Sequence, residues 1–403
     1  MSLLIGNIGE LMTQDAEHRV LDNAAVVIQG ERISWIGEAS QAPAADEYLD
    51  AGGRAMLPGW VDSHSHLVFA GDRTAEFEAR MAGQPYSAGG IAVTVEATSA
   101  VSDSELRKLT AGRALEALSQ GTTYLETKTG YGLDVEQEAR SARIAADVVD
   151  EVTYLGAHLV PAGTSPDEYT ELVCGPMLQA VLPYVSWGDV FCERGAFTEE
   201  QSRRVLESCR AAGLGLRVHG NQLGEGPGVR LAVEFGAASV DHVNHLASSD
   251  FDALAASWSG WDAGSGSGDR GTVATCLPAA DLSTHQPLAP ARALLDAGVE
   301  LALASNCNPG TSYTTSMAFC VATAVLQMRL SVHEAVRAAT YGGALALGRE
   351  SGTDVDGERG VGSIAVGHRA DLHLLDAPSA THLAYRPGIP LSHAVWRAGI
   401  RVR

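Results

Sequence analysis

Two histidines separated by one residue carry the first chemical signal in this chain. They lie in Leu57-Pro58-Gly59-Trp60-Val61-Asp62-Ser63-His64-Ser65-His66-Leu67-Val68-Phe69, where a Pro-Gly turn releases a short, mostly apolar run. Read as a β-strand, the run puts alternate side chains on one face, so His64 and His66 point the same way. Two neighbouring imidazoles at a strand end can grip one divalent metal ion if a third histidine and a carboxylate come from elsewhere. A lone His-x-His is more often a pair of satisfied polar residues at a sheet edge, so the metal reading needs support from the rest of the chain.

That support comes from other apolar runs ending in polar residues. His219 closes Leu214-Gly215-Leu216-Arg217-Val218. As a third imidazole it leaves an open position for water, the arrangement of a hydrolytic metal site. Gln222, three residues on, can donate or accept a hydrogen bond but cannot act as a base. His242, in Ser239-Val240-Asp241-His242-Val243-Asn244-His245, is placed to carry a proton from an attacking water to a leaving nitrogen. Its plainer alternative is a packed histidine bonded to backbone. Arg73, just after the histidine pair, is a local cation able to take a carboxylate in bidentate fashion, or else a partner for Asp72 or Glu76. Tyr131 stands between glycines in Lys128-Thr129-Gly130-Tyr131-Gly132, a setting for binding rather than core packing. His158 ends Gly156-Ala157-His158 and can hydrogen-bond a polar substrate.

The elements that must bring these residues together show a regular alternation. Apolar runs fit strands ending near His66, Lys128, His158, Glu193, His219, His242, Cys276 and Asn306. Amphipathic segments such as 105–120, 136–149, 199–212 and 228–235 lie between them. Eight strands with intervening helices predict an α/β fold, a (β/α)8 TIM-type barrel over 57–355. A doubly wound open sheet permits the same alternation. It would spread these polar strand ends along an edge, whereas a barrel gathers them at one mouth. Residues 26–37 read as a hairpin, and short strands at Gly362-Ser363-Ile364, Asp371–Asp376 and Ala394–Arg397 sit near the other end. The termini, 1–56 and 356–403, are therefore expected to meet as one composite β-sandwich domain. Ser257–Gly271 and Gly352–Gly360 read as polar loops, with Trp258 and Trp261 packing the first one down.

Composition removes several functions. Lys and Arg number 28 against 49 Asp and Glu, a net charge of −21, which repels nucleic acid and anionic membrane. An apolar content of 45% suits a packed enzyme rather than a disordered chain. The six scattered cysteines form no Cys-x-x-Cys pair, and the first residues lack a signal-peptide pattern, so a cytoplasmic protein is expected.

Taken together, these segments resemble the imidazolonepropionase family of the amidohydrolase superfamily, enzymes of histidine degradation. The resemblance runs almost end to end through PGWVDSHSHLVFAGDRTAEFEAR, ETKTGYGLD, YLGAH, DVFCERGAFTEEQSRR, VHGNQL, DHVNHL, NCNPGTS and GSIAVGHRADLHLLD. It implies one Zn or Fe ion per chain, a homodimer, and a small-molecule substrate, 4-imidazolone-5-propanoate, opened by water to N-formimino-L-glutamate. By position it implies His64, His66 and His219 as metal ligands and His242 as the proton-transfer residue, with Gln222 beside it. Arg73, Tyr131, His158, Gln222, Asn308, Gly310 and Thr311 are implied as substrate contacts.

One position departs from the family. Its eighth strand ends in an aspartate, a metal ligand and proton acceptor, where this chain has Asn306. An amide oxygen can still coordinate a metal or hold its water, but it brings no charge and takes no proton at neutral pH. Metal binding is thus expected to persist in weaker form and turnover to slow. Two rivals follow: a related amidohydrolase such as a deaminase, and a ligand-binding homologue whose chemistry is weakened. A third places a carboxylated Lys128 in a two-metal site.

Overall fold

The protein is described by a computed structural model covering residues 1–15, 17–84, 90–262, 267–351 and 360–403. Five strands come first: β1 Ser2–Met12, β2 Val20–Gln29, β3 Arg32–Glu38, β4 Glu47–Asp50 and β5 Ala55–Pro58. The barrel strands are β6 Trp60–Asp62, β7 Thr122–Lys128, β8 Glu151–Ala157, β9 Trp187–Cys192, β10 Gly215–Gly220 and β11 Ser239–His242. A two-residue hairpin pair, β12 Trp261–Asp262 and β13 Ser267–Gly268, precedes the last two barrel strands, β14 Val273–Cys276 and β15 Leu301–Leu303. Three strands finish the chain: β16 Leu372–Leu375, β17 Ser392–Arg397 and β18 Ile400–Arg401.

The eight central strands lie in the order β6 to β11, β14, β15, each parallel to its neighbour. A doubly wound sheet would reverse direction of travel at a switch point, and this order has none. Among the described residues no strand ladder joins β15 to β6. The ring closes through the segments just beyond them, where Asn306 N donates to His64 O (2.9 Å) and His66 N to Cys307 O (2.9 Å). Ser305 adds bonds from its N and Oγ to the buried Asp62 carboxylate. The seam of the barrel is thus made of the segments that carry the site.

This corrects the reading of a first barrel strand that reaches His66. The first barrel strand stops at Asp62, so His64 and His66 sit on an extended tail held by β7 on one side and the β15 tail on the other. His158 and Asn306 likewise lie beyond their strands. Helices fill the predicted intervals: α1 Thr74–Met81, α2 Ile91–Ala100, α3 Asp103–Ser119, α4 Val135–Ala146, then Glu199–Ala211 and Gly228–Glu234 among others. Local sequence sets their starts. Ser102 and Asp134 accept hydrogen bonds from the amides of Glu105 and Gln137, and Thr198 forms a capping box with Gln201.

The two chain ends share one sheet, ordered β18-β17-β16-β5-β1-β2-β3, with β4 beside β1. Its core draws Ile5, Ile8, Leu11, Val26 and Ile28 from one end and Leu372, Leu374 and Trp396 from the other. Strand β5 runs across the expected boundary after residue 56. Gly362-Ser363-Ile364 is not a strand: Gly362 has φ +77°, and a Cβ there would lie 2.6 Å from Thr340 O. Within 257–271, residues 263–266 lie outside the described residues; on either side of them β12 pairs with β13, and Trp258 packs against Trp261, Tyr341 and Leu345. Within the expected bridge 352–360, residues 352–359 lie outside the described residues. Among the described residues, no helix is long and apolar enough to cross a membrane, and all six cysteines are free thiols.

Candidate metal centre and substrate pocket

Four imidazoles converge at the C-terminal mouth of the barrel. His64 and His66 place their Nε2 atoms 3.3 Å apart. His219 and His242 come in from β10 and β11, with ring centroids 4.5 and 5.7 Å from that of His64. The group whose donor nitrogens all lie within 4.8 Å of one another is His64, His219 and His242, and His66 joins it through His64. His242, expected as the proton carrier, is thus within ligand reach as well. It has φ +86°, and Asn306 has φ +51°. Both residues hold the left-handed backbone that non-glycine residues adopt at a cost of roughly 1–3 kcal/mol and that clusters at functional sites.

Beneath the imidazoles lies a layer of charge buried inside the barrel. His64 Nδ1 is 2.7 Å from Asp241 Oδ2, and His219 Nδ1 is 2.9 Å from Asp189 Oδ2, the latter close but not aligned as a hydrogen bond. Lys128 Nζ sits between Glu126 Oε1 (3.1 Å) and Asp189 Oδ2 (3.0 Å), and Arg217 Nη2 is 3.1 Å from Asp241 Oδ2. The side chains of Lys128, Arg217, Glu126, Asp189 and Asp241 are wholly buried. Burial pushes the Asp189 and Asp241 carboxyls up, but the cations and imidazoles around them win and hold both well below the usual carboxylate range. Burial also drives the His64, His66 and His242 pKa values well below 6.5, leaving each ring neutral with a lone pair to offer.

These residues fit a metal ion on three grounds. The His64, His66 and His242 rings are neutral and offer lone pairs, and the carboxylates behind His64 and His219 orient those two as outer-shell partners of metal-bound histidines do. Three carboxylates face two cations in the layer below, so one negative charge is left for a cation above to offset. Asn306 Oδ1 and the Nδ1 atoms of His66 and His242 are buried without hydrogen-bond partners. Lys128 does not suit a bridging carbamate, because a carboxylated lysine there would point an anion at Glu126 and Asp189.

A cavity of about 30 Å³ adjoins the imidazoles. His66, Arg73, Tyr131, His158, His219, Gln222, His242, Asn306, Asn308 and Thr311 line it, so most of the residues singled out from the sequence meet there. His64 lies behind this wall, and Gly310 backs onto the Arg73 guanidinium. Ile91 and Phe191 also line the cavity and carried no chemical signal in the sequence. The outer-shell Asp189, Arg217 and Asp241 were missed too. Their signal was a charge placed inside a short strand of otherwise apolar character. His158 Nδ1 bonds Gly130 O at 2.9 Å, and burial lowers the ring's pKa to about 4, so its Nε2 is an acceptor at neutral pH. Buried Glu138 accepts from the Gly130, Gly132 and Leu133 amides and so shapes the loop that presents Tyr131. The backbone N–H of Gln222 donates to Glu193 Oε1 at 2.5 Å. The cavity holds little more than a water, and a groove of about 480 Å³ adjoins it across Arg73 and Thr311.

Comparison with known proteins agrees with this geometry. Residues 55–388 match the model of the Amidohydrolase family. The chain belongs to the amidohydrolase family. It is 80% identical over 403 residues to an imidazolonepropionase of Arthrobacter sp. strain FB24, each chain covered in full. An imidazolonepropionase of Micrococcus luteus is 64% identical, with 99% of each chain covered. Among solved structures, atrazine chlorohydrolase TrzN from Arthrobacter aurescens TC1, complexed with zinc, aligns with a TM-score of 0.71 at 19% identity, covering 99% of this chain and 95% of its own. An adenosine deaminase from Xanthomonas campestris with bound zinc aligns with a TM-score of 0.70 at 20% identity, covering 99% and 92%. These two structures speak to the fold alone.

Proposed function

We propose that this chain hydrolyses 4-imidazolone-5-propanoate to N-formimino-L-glutamate. The observation that carries the reading is the junction of four buried imidazoles with a cavity walled by Arg73. The first group suits water activation and the second suits a propionate. The full-length likeness to imidazolonepropionases supports the same substrate.

His64, His66 and His219 would hold one zinc or iron ion, and Asn306 Oδ1, buried without a partner, would be a further neutral ligand. Such an ion supplies Lewis acidity, polarising a carbonyl and making water nucleophilic near neutral pH. The chain's own residues do the rest. Arg73 takes the propionate, while Tyr131, His158 and Gln222 hold the ring, with Asn308, Gly310 and Thr311 closing the opposite wall. His242, neutral in its buried setting, accepts a proton as water adds to the ring carbonyl. It returns that proton to the ring nitrogen as the C–N bond breaks, so the step balances with one water consumed. Asn306 can accept a hydrogen bond from the water but cannot take its proton.

The same reading assigns 57–355 to the catalytic barrel and 1–56 with 356–403 to one supporting module. It places the protein in the cytoplasm, consistent with six free cysteines, and pairs two copies. The groove lined by exposed Phe77, Met81, Leu282, Tyr313 and Phe319 is an apolar surface suited to pairing. Product analysis tests the function: N-formimino-L-glutamate without free ammonia supports it, and ammonia release would make the chain a deaminase. Saturable binding of the substrate with no turnover after metal loading would favour the weakened ligand-binding homologue, for which Asn306 is the specific reason.

A further inference from the structure

Arg73 is more constrained than a substrate-binding arginine needs to be. Its Nε and Nη2 donate to Glu76 Oε2 and Oε1 at 2.8 and 2.7 Å, a bidentate pair one helical turn apart. Glu76 has a second cation on its other side, with Arg80 Nη1 3.6 Å from its Oε1. Arg80 in turn donates to Ser283 O at 2.7 Å and Ser283 Oγ at 3.0 Å, anchoring the row to the helix Pro278–Thr284. The guanidinium also lies in a slot between two glycines. A Cβ on Gly90 would fall 2.2 Å from Arg73 Nη2, and one on Gly310 would fall 2.3 Å from Nη1. The Glu76 pair leaves both N–H groups of Nη1 and one of Nη2 over, and Arg73 stands in the wall shared by the inner cavity and the outer groove.

We propose that Glu76 is the positioning residue that fixes Arg73 for a carboxylate-bearing substrate, and that this row sets the preference for such substrates. The inference rests on the reading that Arg73 meets the propionate. Holding the Nε–Nη2 edge presents the remaining Nη1–Nη2 end to the cavity in one orientation. A carboxylate that finds the guanidinium already placed loses less freedom on binding. The alternative, in which Glu76 competes with the substrate and must let go, would cost both hydrogen bonds to Arg73 and move the carboxylate away from the charge of Arg80.

The test uses the full-length metal-loaded protein, with Glu76→Ala, Glu76→Gln and Gly310→Ala. Calorimetry would compare binding of imidazole-4-propionate with that of 4-ethylimidazole, which has no carboxylate, alongside KM and kcat for ring opening. In Glu76→Ala, imidazole-4-propionate should bind about tenfold more weakly, as expected for a lost charge-assisted contact. KM should rise in parallel, with kcat and 4-ethylimidazole binding held. Glu76→Gln should lose less, because its amide oxygen keeps one of the two bonds, and Gly310→Ala should disturb the same ligand from the opposite side. Equal loss for both ligands would reduce Glu76 to a structural role. Unchanged or tighter binding of the propionate would make it a bystander or a competitor, and any of these results overturns the proposal. If the wild type bound imidazole-4-propionate in this Glu76-dependent way yet opened no imidazolone, the functional reading would fall and this inference would stand.

Discussion

His64 Nδ1 and Asp241 Oδ2 lie 2.7 Å apart with both side chains fully buried, and the same carboxylate oxygen is 3.1 Å from Arg217 Nη2. One aspartate therefore orients a candidate metal ligand and neutralises a guanidinium in the barrel interior. Asp241→Ala should weaken metal affinity by about 10–100-fold, the usual cost of losing an outer-shell partner. It should also destabilise the fold by about 3–5 kcal/mol, because Arg217 is left as an unpaired buried charge. Chelator competition and urea unfolding measure the two effects separately.

Asn306 Oδ1 is buried without a partner and lies in the cavity wall. Replacing the amide by a carboxylate adds a charged ligand and a proton acceptor. Asn306→Asp should tighten metal binding and raise kcat by about 10²–10⁴. A wild type already holding one ion per chain, with turnover that Asn306→Asp does not improve, would refute the idea that Asn306 limits the chemistry.

Lys128 Nζ is shared between Glu126 and Asp189. Lys128→Met should therefore unfold at lower urea by about 3–5 kcal/mol, since two carboxylates lose their buried counter-ion. Elemental analysis of the wild type should find one ion per chain. Two ions, one of them lost in Lys128→Met, would restore the carbamate reading.

Glu138 gathers three loop amides around Tyr131. Glu138→Ala leaves those donors unsatisfied at about 1–3 kcal/mol each when they stay buried. KM should rise more than kcat falls, because the carboxylate shapes the binding loop and lies outside the cavity wall. Steady-state kinetics read the split.

His373 joins the terminal sheet to the barrel. Its ring meets Trp60 edge-on at 5.3 Å, Nε2 lies 2.8 Å from Ser392 Oγ, and burial lowers its pKa to about 3. Below an unfolded pKa near 6.5 the unfolded chain takes up a proton that the folded chain refuses. The contribution is therefore complete above pH 6.5 and is lost as pH falls toward 3. His373→Gln should flatten the dependence of stability on pH within that window, as read by unfolding at fixed pH steps. An unchanged slope would show that His373 plays no part in acid sensitivity.

Much of this molecule was legible in its sequence because the information is local. Apolar runs ending in polar residues marked the barrel strands, and amphipathic segments such as 105–120, 136–149 and 199–212 marked the helices between them. The strand-end rule then gathered His66, His158, His219, His242 and Asn306 at one mouth, with Arg73 and Tyr131 in the loops beside them. What the chain could not declare is pairing across distance. Asp241 and His64 are 177 residues apart, and nothing near either one names the other. Only closure of the ring brought the tail after Asp62 against the tail after Leu303, and that seam, not a strand, holds His64 and His66. The glycine slot around Arg73 is of the same kind: Gly90 carried no signal and Gly310 stood only as an implied substrate contact until the fold put a guanidinium between them. Residue type fixed the available chemistry, while steric closure and buried charge balance decided which groups could act together.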